Sequence, residues 1–114
     1  MSFWRKEVVE FALSHETVQQ MDGLRTWIQR EPTNAKPYYY LAQFYRMESR
    51  AEESLGLLLE AVRLDATFAD AHAALTELYA VKADYQSAWR HARIAEESGN
   101  ARGVELLRRY GVGE

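Results

Sequence analysis

An aromatic ring recurs at a constant interval: Phe11, Tyr45 and Tyr79 stand at one phase of a 114-residue chain. A period of about 34 residues marks a chain built from copies of one supersecondary unit, each burying its apolar face on its neighbours. Other columns keep the same interval. Trp4, Tyr38 and His72 are bulky rings; Leu24, Leu58 and Ala92 are apolar, as are Trp27, Ala61 and Ala95. Ala42 and Thr76, then Ser54 and Ala88, are small. Each unit therefore repeats one packing problem.

Within a unit the spacing is helical. Trp4, Val8, Phe11 and Ala12 fall at i, i+4, i+7 and i+8, and Tyr38, Leu41, Ala42 and Tyr45 at i, i+3, i+4 and i+7. Leu75, Leu78 and Tyr79 continue the pattern in the third unit. Second helices follow at Val18, Met21, Leu24 and Ile28, at Leu55, Leu58 and Val62, and at Tyr85, Ala88, Ala92 and Ala95. No stretch alternates with the period of two that a half-exposed strand requires.

The punctuation agrees. Pro32-Thr33-Asn34 predicts a helix end followed by an Asn34 cap, with Pro37 tolerated in the next first turn. Thr67 with Asp70 three residues on predicts a capping box, and Gly99 and Asn100 predict a left-handed helix end and a new cap. The expected helices are 2–14, 17–30, 35–48, 51–64, 69–82, 85–98 and 100–110. They make one all-α domain over 1–114, with repeats at 1–34, 35–68 and 69–99 and a closing helix at 100–110.

These columns resemble the tetratricopeptide repeat family. The second unit places Tyr38, Leu41, Ala42, Tyr45, Ser54, Leu58 and Ala61 on that family's signature positions, with Ala66 where proline is usual. The third matches at Leu75, Tyr79, Ala88 and Ala95, and Asp84-Tyr85 resembles the family's turn. The first matches at Trp4, Phe11, Leu24, Trp27 and Pro32 but departs at Glu7 and Gln20. The resemblance implies a right-handed superhelix of three helix-turn-helix repeats, whose concave face is lined by the first helix of each pair. The alternative is an unrelated antiparallel helical bundle.

On that register the concave residues are Ser2, Arg5, Lys6, Val9, Ala12 and Leu13, then Lys36, Tyr39, Tyr40, Gln43, Arg46 and Met47. The third unit adds Asp70, Ala73, Ala74, Glu77, Ala80 and Val81. The resemblance thus implies a peptide-binding groove whose richest wall is the second unit, basic toward Arg5, Lys6, Lys36 and Arg46 and acidic toward Asp70 and Glu77. Aromatic and Arg side chains are those on which binding hot spots are built. Family members that grip a C-terminal carboxylate use a Lys and Asn clamp. Val9 and Asp70 stand where the clamp needs Asn and Lys, so the resemblance does not extend to that subtype.

Other chemistry lacks its residues. There is no cysteine, and His15, His72 and His91 show no HxxxH or HExxH spacing, so neither a metal nor another cofactor is expected. His72 falls in a packing column, where a hydrogen-bonded structural role is expected. Glu52-Glu53 and Glu96-Glu97 are neighbours in sequence, which on a helix do not face each other, so they form no acid/base pair. No enzyme is expected. A net charge of −3, with Glu96, Glu97 and Glu105 among the C-terminal arginines, argues against nucleic acid, and no apolar run reaches the roughly 20 residues of a membrane span. With charges at Arg5, Lys6, Glu7 and Glu10 where a signal peptide would be apolar, a cytoplasmic chain is expected.

The expected role is therefore a scaffold that binds a peptide segment of another protein. The alternative is a homo-oligomer formed through Phe3 and Trp4, aromatics at the start of the array with no preceding repeat to cover them.

Overall fold

Six α-helices follow one another in a computed structural model that describes the backbone of residues 2–114 and the side chains of 16–114: α1 (Ser2–Arg30), α2 (Ala35–Met47), α3 (Ala51–Leu64), α4 (Ala69–Val81), α5 (Tyr85–Glu97) and α6 (Arg102–Arg109). No strand occurs among the described residues. The repeat interval is reproduced in the backbone, since α4 begins and ends one interval after α2, and α5 begins one interval after α3.

The turns show why. After α2 the Ser49 amide bonds the Arg46 carbonyl (3.0 Å) and the Arg50 amide the Tyr45 carbonyl (2.8 Å). After α4 the Ala83 amide bonds Ala80 (3.0 Å) and the Asp84 amide bonds Tyr79 (2.9 Å). This paired arrangement requires a left-handed residue, and Ser49 and Ala83 both take φ of 61° without being glycine. The longer-range turns match too: Asp65 to Ala61 and Phe68 to Asp65 repeat Glu31 to Trp27 and Asn34 to Glu31. α5 ends through the expected Gly99, at φ 106°.

Starts follow their caps. The Asn34 side chain accepts from the Lys36 amide (3.0 Å), and Pro37 sits buried in the first turn of α2, where no intrahelical partner awaits its missing N–H. Asp84 accepts from Ser87 at the start of α5, and Asn100 accepts from the Arg102 amide at the start of α6. The capping box expected at Thr67 and Asp70 does not form. Asp65 takes the Thr67 amide and hydroxyl, both at 3.1 Å, and Asp70 accepts from the Asn100 side chain instead (2.9 Å).

α2 with α3 and α4 with α5 form the two tightest pairs, and each consecutive pair of helices is packed together, as in a helical repeat array. Small residues set the spacing. Ala42, Ala61, Ala88, Ala92 and Ala95 have no exposed surface, and the buried Ser54 hydroxyl donates to the Ala42 carbonyl (2.8 Å), tying α3 to α2. Leu58, Leu75 and Leu107 are the largest fully buried apolar side chains, each stabilising the fold by roughly 1.5–3 kcal/mol. α6 lies close on α4, where a Cβ on Gly103 would come within 3.0 Å of Thr76 Oγ1.

A second expectation is corrected. The first unit is a single 29-residue helix, α1, and not two helices meeting at 15–16. By the repeat interval the counterpart of Ser49 and Ala83 is His15, within α1. Nothing just beyond it starts a second helix. Glu16, a good helix former and a poor cap, replaces the Asp84 cap, and Val18-Gln19 replaces the Glu52-Glu53 pair that meets the positive end of α3.

Candidate binding surface

α2, α4 and α6 share a phase, Ala35, Ala69 and Gly103 standing one interval apart, so each presents its outward side chains to one face. On α2, Tyr39 is half-buried against Phe68, with ring centroids 5.1 Å apart, and its hydroxyl accepts from the Gln43 amide (2.8 Å). Burial, with Asp70 facing it, pushes the Tyr39 phenol above its ordinary range. Tyr40 packs edge-on to Tyr39 at 5.6 Å and stacks on Trp27 of α1 at 6.3 Å, yet stays 45% exposed. Lys36 is exposed at the start of the helix.

Arg46 reaches across to α4 and pairs with Glu77 at 2.6 Å, both half-buried, while Arg102 of α6 stands 3.7 Å from the other Glu77 oxygen. A charged line thus crosses the three first helices. The basic and acidic ends expected from sequence meet at Arg46 and Glu77, which neutralise each other. Arg5, Val9, Phe3 and Trp4, like Ser2, Lys6, Ala12 and Leu13, lie outside the residues whose side chains are described.

What the face leaves unsatisfied is apolar. Met47 is 76% exposed and its counterpart in the next unit, Val81, 85%; Tyr110 is 73% exposed. Two grooves flank the charged line. One, of about 500 Å³, runs between α1 and α2 and is lined by Gln20, Gly23, Leu24, Trp27, Tyr40, Gln43, Phe44 and Met47. The other, of about 430 Å³, lies beside α4 and α6, between Glu77, Ala80, Val81, Tyr85, Leu106, Leu107, Tyr110 and Val112. Both fall in the size range of ligand sites.

Compared with models of known protein families and with curated proteins, the chain matches none. No described helix is long and apolar enough to cross a membrane. Among the described residues no three His, Cys, Asp or Glu side chains gather as a metal site would need.

A pair of histidines, unremarked by any spacing rule, does come together. His72 Nδ1 and His91 Nδ1 lie 2.9 Å apart, both rings buried, and His72 Nε2 is 2.8 Å from the Ala66 carbonyl. A carbonyl only accepts, so His72 Nε2 carries hydrogen and its Nδ1 accepts from the N–H of His91. His91 also lies flat on Tyr79, 5.5 Å away with 4° between the planes. Burial, then the neighbouring His72 and Arg90, lowers the His91 pKa to about 4. The pair is structural: it joins α4 to α5 through a buried ring-to-ring hydrogen bond. Their separation in sequence could have revealed it only with the register of those two helices in hand.

Proposed function

We propose that the chain is a non-enzymatic, cytoplasmic scaffold of the tetratricopeptide type, which holds an apolar peptide segment of another protein on the face of α2, α4 and α6. Support for the family reading comes from the repeat interval, which is carried by side-chain columns, helix bounds and turn hydrogen bonds alike. The observation that carries the function is the exposure of Met47 and Val81 at equivalent positions beside the two apolar grooves. Large apolar side chains repeated at one phase of an outward face give a partner contact area without costing the fold buried polar groups. The polar residues between them are already satisfied within the chain, so they orient a peptide at the rim.

Selection from a displayed peptide library tests this. Peptides with apolar residues at helical spacing are expected, binding at least tenfold more weakly to the Met47→Glu, Val81→Glu variant. Selected peptides that bind that variant equally well would sink the reading. These two positions make a cleaner test than Tyr39 and Arg46, whose replacement also breaks the Gln43 and Glu77 contacts.

A further inference from the structure

We propose that the groove between α1 and α2 is a helix seat, and that its occupant is the segment 2–14 of a second copy of this chain, exchanged reciprocally.

The repeat identifies the seat. Moving one interval along the chain carries Gln20, Leu24 and Trp27 of the groove onto Ser54, Leu58 and Ala61, and carries Tyr40 and Phe44 onto Ala74 and Leu78. All five of those counterparts are buried. There α2 provides the cover: Ser54 bonds the Ala42 carbonyl, and Leu58, Ala61, Ala74 and Leu78 share one core with Ala35 and Ala42. One unit earlier the same positions line an open groove, with Gln20 and Tyr40 exposed. What is lacking is the helix one interval before α2, which is the segment 2–14.

That segment has the pattern the seat requires. Trp4 stands at the phase of Tyr38 and His72, Val8 at that of Ala42 and Thr76, and Phe11 at that of Tyr45 and Tyr79. Its own seat is out of reach, because α1 runs unbroken from Ser2 to Arg30 and one helix cannot fold back on itself. At about 1.5 Å per residue the segment carries its stripe about 20 Å along the α1 axis, away from Leu24 and Trp27. Two copies related by a two-fold axis can each place this segment in the other's groove, so both seats fill with no free end left over. The inference rests on the reading of the first-helix face as a helix-binding surface, and it names the occupant at the α1 end.

The test uses two chains, Val8→Cys and Gln20→Cys, in a protein that has no cysteine of its own. The positions are counterparts of Ala42 and Ser54, which touch. Mixed and oxidised, the two are expected to give a disulfide-linked dimer, and a chain carrying both changes a doubly linked dimer. Light scattering of the unmodified chain should give twice the chain mass. His15→Gly with Glu16→Asp installs the turn found after α4, and is expected to release monomers of unchanged helix content by circular dichroism. A single-chain mass at all concentrations, with the doubly substituted chain closing on itself, overturns the proposal in favour of an internal hairpin. So does a turn variant that remains dimeric. Neither outcome touches the peptide reading, for which Val81→Glu alone, in the groove beside α6, is the separate test.

Discussion

The α2/α3 and α4/α5 hairpins share a backbone plan and differ in what fills it. Both turn through a left-handed residue held by the same pair of hydrogen bonds, and both keep small side chains where the helices approach, Ala42 with Ser54 and Thr76 with Ala88. The larger positions diverge. Leu58, without exposed surface, becomes Ala92; Leu57 becomes His91, and Tyr38 becomes His72. In the second hairpin the bulk comes from rings, Trp89 packing with Ala88 and Ala92, and His91 lying on Tyr79. The turn and the small column therefore fix the fold of a unit, while its volume can be supplied from different places, provided the sum is kept.

Exchanging the phase-matched residues would break that comparison, and the first hairpin should suffer most. Leu58→Ala leaves a cavity no neighbouring ring can fill and should cost about 4 kcal/mol in urea denaturation, toward the upper end for such truncations. A loss under about 1 kcal/mol would show that the first hairpin repacks freely.

Between pH 6.5 and about 4 the second hairpin should respond to acid through His91. The unfolded chain protonates its histidine near 6.5, whereas folded His91 does so near 4. The stability that neutral His91 contributes is therefore fully present above about 6.5 and is lost as pH falls toward 4, by as much as about 3 kcal/mol. Thermal melts of the unmodified chain and of His91→Leu across that window should differ in slope; parallel curves would remove His91 as the cause.

Ala92→Leu, which gives the second hairpin the first one's residue, should cost about 2 kcal/mol by overpacking against rings already in place. Combining it with Trp89→Ala should recover part of that loss. Smallest is Ala83→Gly, which relieves a left-handed alanine and should stabilise by about 0.5 kcal/mol, less than the full relief because glycine loses more entropy on folding. Ser49→Gly should do the same, and opposite signs at the two sites would mean that the turns are not equivalent.

Much of this was legible because it depends on local rules. The Asn34 cap, Pro37 in a first turn, Gly99 at a helix end and the spans of α2 to α5 follow from side chains that act within a few residues of themselves. The missing break in α1 was not, since Ser49 and Ala83 occupy left-handed turns without glycine and so leave no letter to compare with His15. The capping box failed because Asp65, two residues before Thr67, competes for the same donors. At the surface, the repeat interval placed Tyr39 with Gln43 and exposed Met47 and Val81 together. It did not reveal that Arg46 and Glu77 would be partners, because their contact joins two helices far apart in the chain.

α6 begins where a further unit would, yet it stops after two turns, with Glu105, Arg108 and Arg109 turned to water while Gly103, Val104 and Leu107 are buried. A charged lid on one end, opposite a groove on the other, makes the array chemically directional. A partner helix with an apolar face finds a seat at the α1 end, whereas over α6 it meets exposed charge. Stacking a further helix pair onto α4 and α5 would first require α6 to be peeled from Thr76.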